Sequence, residues 1–223
     1  TYYEHRFVDK IDFINTLSHT IKEPKKVFLG LGHFLELGDY NNLLDSVLFY
    51  ESGYKFEKIL DHSNRLVSEW GEIPFSFFKL AVYFPDYLFK DLPIYCVSTI
   101  GRKSRLAIGA ENFIQQIKQY DPLILTAMPY EIAFEIAKRL GLDENNLIAT
   151  IYKIEQTGKQ KIYSGGIEKF ISGDRKSIEI EKTMIENNLS EEDVLYIGSG
   201  EAGLKTFLNR KYSIAFNPAD SVI

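Results

Sequence analysis

The chain has 223 residues, 45% of them hydrophobic and 26% charged, an ordinary globular composition long enough to bury a core without disulfides or a structural metal. Its 26 basic and 31 acidic residues give a net charge of −5, which disfavours a strongly basic nucleic-acid binder. The single cysteine, Cys96, excludes an internal disulfide framework and any cysteine-cluster metal site. The length suits one large domain, or one domain carrying an insertion. A lone cysteine fits a reducing compartment, so a cytoplasmic location is expected. The most apolar stretch, residues 75–89, is interrupted by Lys79, Pro85 and Asp86 and falls far short of the ~20 apolar residues of a membrane span. No basic segment followed by an apolar core opens the chain, so no signal peptide and no membrane partner are expected.

In chain order, residues 2–20 carry Phe7, Ile11, Ile14 and Leu17 at helical spacing and predict an amphipathic helix. VFLGL (27–31) is a short buried-strand pattern ending in glycine. Residues 42–90 read as mostly helical, with breaks at Gly53, Gly71, Pro74 and Pro85, and the stretch 91–108 is ambiguous. From Gly109 the pattern sharpens: a helix over 110–120, a strand over 123–127, and a helix that opens after Pro129 and ends at Gly141. Two strands, 147–155 and 159–164, flank a turn at Gly158, and a helix covers 174–188. A strand at 194–197, a glycine turn, a helix over 202–210 and a strand at 212–216 follow. This alternation predicts an α/β fold with a mostly parallel sheet between helices, its ligands at the carboxyl ends of the strands. The segments expected there are 30–34, 126–129, the region of Lys176, and 198–203.

These segments carry a resemblance. LILTAMPYEIAFEIAKRLGL, GDRKSIEIEKTM, SEEDVLYIGSGEAGLKTF and YSIAFNP follow one another as in the haloacid dehalogenase (HAD) superfamily of phosphatases. The layout resembles the branch of that superfamily containing phosphoserine phosphatase. The resemblance covers most of the chain. It implies a three-layer Rossmann-like core from 1–42 and 109–223, and a helical cap inserted at 43–108. In that family an Asp at the end of the first strand attacks phosphorus, a second Asp two residues on serves as acid and base, and acids of the last motif hold Mg²⁺. A Ser or Thr and a Lys hold the phosphate oxygens; here these are Thr126 and Lys176, with Ser199 and Gly200 in the last turn.

The sequence departs from the family at the carboxylates. VFLGLGHFL places Gly30 at the nucleophile and Gly32 at the acid/base, with His33 and Phe34 following. YIGSGEAG places Ser199 and Gly203 where metal-binding acids usually stand. The direct reading is a protein with the phosphatase fold but without its reaction, no catalytic residue and no cofactor. It would bind a phosphorylated small molecule or a protein. The alternative is an active Mg²⁺-dependent phosphatase with an atypical site, drawing on Glu36, Asp39 or Glu201.

Several residues keep a plainer reading. GSGEAG (198–203) has dinucleotide-fingerprint spacing, but too little chain follows it to complete such a domain, and Gly198 and Gly200 can simply allow a tight turn. Thr126 can cap the following helix, and Lys176 can be a solvated cation in a first helical turn. His33 can be structural, Cys96 has no His partner nearby, and His5, His19 and His62 lack metal-ligand spacing. The aromatics Phe75, Phe77, Phe78, Tyr83, Phe84, Tyr87 and Phe89 form either the cap's own core or an apolar wall.

Overall fold

The computed structural model describes residues 23–35, 89–171, 173–198 and 204–215. The expected helix at 2–20 and residues 43–88 of the expected cap lie outside them.

Strand β1 (Lys26–Leu29) sits inside the sheet, between β2 (Pro122–Pro129) and β5 (Val194–Gly198), parallel to both. Each of the three is buried along its length, as continuous apolar runs in parallel strands require. β3 (Leu147–Thr157) adds in parallel to β2, β6 (Ser213–Ala215) in parallel to β5, and β4 (Gln160–Lys169) returns antiparallel along β3 around the turn at Gly158. The order is β4-β3-β2-β1-β5-β6.

Strand alternation divides the apolar residues between two faces. Val27, Leu29, Ile124 and Ile197 point to one face, where helices α1 (Ile94–Lys103), α2 (Ala110–Ile117) and α3 (Tyr130–Arg139) bury Val97, Ile100, Phe113, Ile132 and Ile136. Phe28, Leu125 and Tyr196 point to the other, under Ile180 and Met184 of α4 (Asp174–Glu186) and against Phe207 of α5 (Leu204–Asn209). The result is the expected three-layer α/β architecture. No helix among the described residues is long and apolar enough to cross a membrane.

The stretch left ambiguous at 91–108 contains α1. Its side chains favour strands, yet Ser98 and Thr99 donate to the Tyr95 carbonyl at 3.1 and 2.7 Å, and the helix packs on α3. The crossing is close: a Cβ on Gly101 would lie 2.4 Å from the Ile132 carbonyl oxygen. Arg139 of α3 donates to the carbonyls of Gly101 at 3.0 Å and of Ser104, closing the C-terminus of α1 with positive charge. α3 itself ends where the glycine predicted, with Gly141 at φ +78° and the Leu142 N–H returning to the Ala137 carbonyl at 3.0 Å.

The two ends of the 36–88 segment are both anchored to this core. Leu35 bridges Leu106, and the Ala107 N–H donates to the Phe34 carbonyl at 2.9 Å. Phe89 packs on Tyr152 and Tyr163 with ring centroids 5.0 and 5.6 Å away, while Asp91 and Leu92 exchange backbone hydrogen bonds with Tyr163.

Gly101→Ala tests the α1–α3 crossing. Alanine gains roughly 1 kcal/mol of helix propensity. The clash with a backbone oxygen is expected to outweigh it, since overpacking costs about 1–3 kcal/mol or more. A melting temperature at or above wild type would refute the close crossing.

Candidate functional site

The register of β1 aligns the strand ends. Leu29 pairs with Ile124 of β2 and with Ile197 of β5, and the Gly30 N–H donates to the Ile197 carbonyl at 2.9 Å. Gly30, Gly198 and Thr126 of β2 therefore lie at neighbouring levels toward one edge of the sheet. α4 begins at the same edge. Lys169 at the end of β4 pairs with Ile151, just past the β2–β3 ladder, and the Ile171 N–H is held by the Thr150 hydroxyl at 3.1 Å. α4 then runs back against the strands to reach β5. The first turn of α4, with Lys176, thus lies toward the same edge of the sheet.

The backbone does not force glycine at the first motif. Gly30 is extended, at φ −77° and ψ 137°, a conformation open to any residue. Gly32 is exposed, its φ is not positive, and a Cβ there would meet nothing within 4 Å. Gly198 is different. A Cβ there would lie 2.5 Å from the hydroxyl oxygen of Tyr196, whose ring fills that space and stacks edge-on against Phe207 at 4.9 Å. Burial pushes the Tyr196 hydroxyl up to about 12. The plain reading of Gly198 therefore has a definite cause, the close approach of Tyr196.

Thr126 is buried, and its hydroxyl oxygen accepts from the Met128 N–H at 3.2 Å, where the β2–β3 register shifts between Thr126 and Pro129. Its side chain does not cap α3, whose N-cap is Pro129. The bond uses an oxygen lone pair and leaves the O–H able to donate.

Lys176 is not a solvated cation. It lies with Ser177, Ile180, Thr183 and Met184 on the buried face of α4 and is only 8% exposed. Other buried cations among the described residues are paired: Lys26 with Asp121, and Arg210 with Glu181 at 3.1 Å and Glu191 at 2.9 Å. Lys176 has no ion pair or hydrogen bond from its amine within the described residues. Of the acids on its helix, Glu179 pairs with Lys169 at 2.9 Å, Glu181 with Arg210 and Glu186 with Lys182, and Asp174 stands in the same first turn. Burial alone pulls the Lys176 amine down to about 8.

Sequence reasoning passed over Glu131. It stands in the first turn of α3, half-buried, and accepts a 2.7 Å hydrogen bond from the Tyr163 hydroxyl. Burial raises its carboxyl, and the Tyr163 hydroxyl bond opposes that rise. An acid just inside a helix that follows a strand was the available signal, but it also reads as ordinary dipole complementation.

Ser199, Gly200, Glu201, Gly203, Glu36 and Asp39 lie outside the described residues. Within those residues, no group of three or more His, Cys, Asp or Glu side chains is arranged to hold a metal. Gly30 and Gly32 offer no carboxylate, so the first-motif positions do not fit Mg²⁺.

No protein-family model matches the chain, and no curated protein matches it either. Solved structures do. A phosphoserine phosphatase with an analogue of its phospho-aspartyl intermediate is 19% identical at a TM-score of 0.60, covering 90% of each chain. A substrate-bound phosphoserine phosphatase is 20% identical at 0.63, again covering 90% of each. A HAD family hydrolase from Salmonella enterica serovar Typhi is 14% identical at 0.65, over 96% of this chain and 73% of that one. At these identities the likeness is one of fold: the chain has the HAD-type, phosphoserine-phosphatase-like fold.

Two measurements check this geometry. Gly32→Asp is expected to change stability by no more than about 0.5 kcal/mol, as at other open surface positions; a large loss in a melt would mean the position is closed. Lys176→Met is expected to melt higher than wild type at pH 7, because burying the charged amine costs about 3 kcal/mol for a fall from 10.5 to about 8. The sign follows from proton binding. Below pH 8 both states of wild type hold the proton and the cost is complete. Between 8 and 10.5 the folded protein releases it first, so wild type gains stability and the advantage of Met shrinks. A difference that stays constant across that range would contradict the buried, unpaired amine.

Proposed function

We propose that this chain binds a phosphorylated small molecule at the carboxyl edge of its sheet and does not hydrolyse it. The observation carrying this reading is the buried Lys176 amine, which lacks a counter-charge among the described residues. A buried unpaired cation is costly, and an anionic ligand removes that cost by supplying the missing charge. Thr126 has an O–H to donate. The N-terminus of the thirteen-residue helix α4 adds its partial positive charge at the same edge.

The chemistry for hydrolysis is missing at the first motif. A covalent mechanism needs a nucleophile at Gly30 and a proton-transfer group at Gly32, and glycine supplies neither. Acid/base help alone contributes roughly 10²–10⁴-fold. The same substitutions remove negative charge that would repel an anion in the absence of a metal. Phosphate binding should therefore be metal-independent and modest, since no Mg²⁺ shares the neutralisation.

Phosphate is expected to raise the melting temperature of wild type beyond a chloride control of equal ionic strength, by about 2.7 kcal/mol of added stability at a hundredfold over its dissociation constant. In Lys176→Met the ligand-induced shift should be lost. No hydrolysis of an aryl phosphate above background is expected, with or without Mg²⁺. Turnover at ordinary enzyme rates that EDTA abolishes would overturn the reading in favour of a phosphatase built on Glu36, Asp39 or Glu201. Absence of any phosphate shift would leave the fold as a scaffold for protein contacts.

A further inference from the structure

Resting on the phosphate-binding reading, we propose that Lys176 captures carbonyl compounds: its amine condenses with the aldehyde of a phosphorylated small molecule to form an imine at the carboxyl edge of the sheet.

Three observations converge on this lysine. It sits in the first turn of α4, on the buried side of the helix and at the edge where β1, β2 and β5 end. The residue is only 8% exposed, and its amine has no ion pair or hydrogen bond among the described residues. The strands beneath α4 present Phe28, Leu125 and Tyr196 to the apolar face of that helix. Along the helix Lys169 holds Glu179, Arg210 holds Glu181 and Glu191, and Lys182 holds Glu186, while Asp174 stands in the same first turn as Lys176. A cation kept for structure would have a fixed carboxylate, as Lys26 and Arg210 do.

The chemistry suits such an amine. An exposed lysine is almost wholly protonated near neutral pH and a poor nucleophile. A desolvated lysine has a substantial neutral fraction, and this environment is the one that activates Schiff-base lysines. Here burial brings the amine to about 8. The Nζ lone pair adds to the carbonyl carbon, forming a C–N bond as the C=O π pair moves to oxygen. That oxygen takes the proton released by nitrogen. The resulting carbinolamine expels its hydroxyl as water to give C=N. Amine plus aldehyde become imine plus water, and no oxidant or reductant is required. Protonated, the imine nitrogen keeps its positive charge, so the phosphate of the same ligand retains its counter-charge.

Pyridoxal 5′-phosphate is the probe. Wild-type protein would be titrated with it, reduced with borohydride, digested, and the label quantified at each lysine by mass spectrometry. The exposed Lys161 and Lys182 serve as internal references. Lys176 is expected to label at a concentration at least about tenfold lower than either, because a desolvated amine is the better nucleophile. Inorganic phosphate should protect it, and pyridoxal without the phosphate should label it more weakly. Lys176→Arg should abolish that label, because a guanidinium forms no imine under these conditions. If wild type shows the phosphate shift but Lys176 labels no better than Lys161, carbonyl capture is wrong and phosphate binding stands. If Lys176 labels equally well with pyridoxal and phosphate gives neither protection nor a shift, the requirement for a phosphorylated ligand is overturned. The wild-type label map decides the matter even if the variant fails to fold.

Discussion

Leu29 is the register partner of both Ile197 and Ile124, and that double pairing fixes the whole carboxyl edge. A slip of one residue in β1 would turn Phe28 away from Ile180 and Met184 and present Leu29 in its place, breaking both apolar layers at once. The alignment of Gly30, Gly198 and Thr126 is therefore enforced by the core and not by the residues that stand at the edge. A sheet held this way can lose every functional group at its strand ends and keep its shape. The likeness to phosphoserine phosphatases over 90% of the chain at 19% identity has the same physical basis.

Lys176 acquires its character from that rigidity. A flexible site would let a long side chain swing into water. Here the face of α4 that carries Lys176 also carries Ile180, Thr183 and Met184, so the helix cannot rotate the amine outward without exposing its own apolar stripe. The cost of about 3 kcal/mol is a sizeable part of the 5–15 kcal/mol by which domains are stable. Arg210, equally buried, shows the ordinary remedy, with two carboxylates on its guanidinium.

Much of this was legible in the residues. Unbroken apolar runs gave the parallel strands, Gly141 the end of α3, and Gly158 the hairpin turn. α1 was not, because Ile94, Tyr95, Val97, Thr99 and Ile100 favour a strand by propensity; packing on α3 and the Tyr95 carbonyl bonds override it. Thr126 was legible only as a candidate, and its bond to Met128 depends on a register shift that no local pattern announces. Lys176 stands between Arg175 and Ser177 behind Asp174, a polar run that reads as solvated; its burial follows from its place one turn before Ile180. Glu131 was hidden because its partner, Tyr163, is brought over from β4.

The glycines at the edge answer to different causes, and the difference bears on function. Gly198 is held by Tyr196, so no side chain can return there while that ring keeps its place. Gly30 and Gly32 meet no such demand: one has an ordinary extended backbone and the other has open space. Their lack of side chains is thus a chemical feature rather than a steric one. Two carboxylates at these positions would give Lys176 nearby counter-charge, raise its proton affinity, and make an anion depend on a metal for entry. On the proposed reading, with neither present, the edge draws anions through the charge of that same lysine. The missing acids and the altered lysine are one electrostatic change, and on the proposed reading it converts a scaffold for phosphoryl transfer into one that retains its ligand.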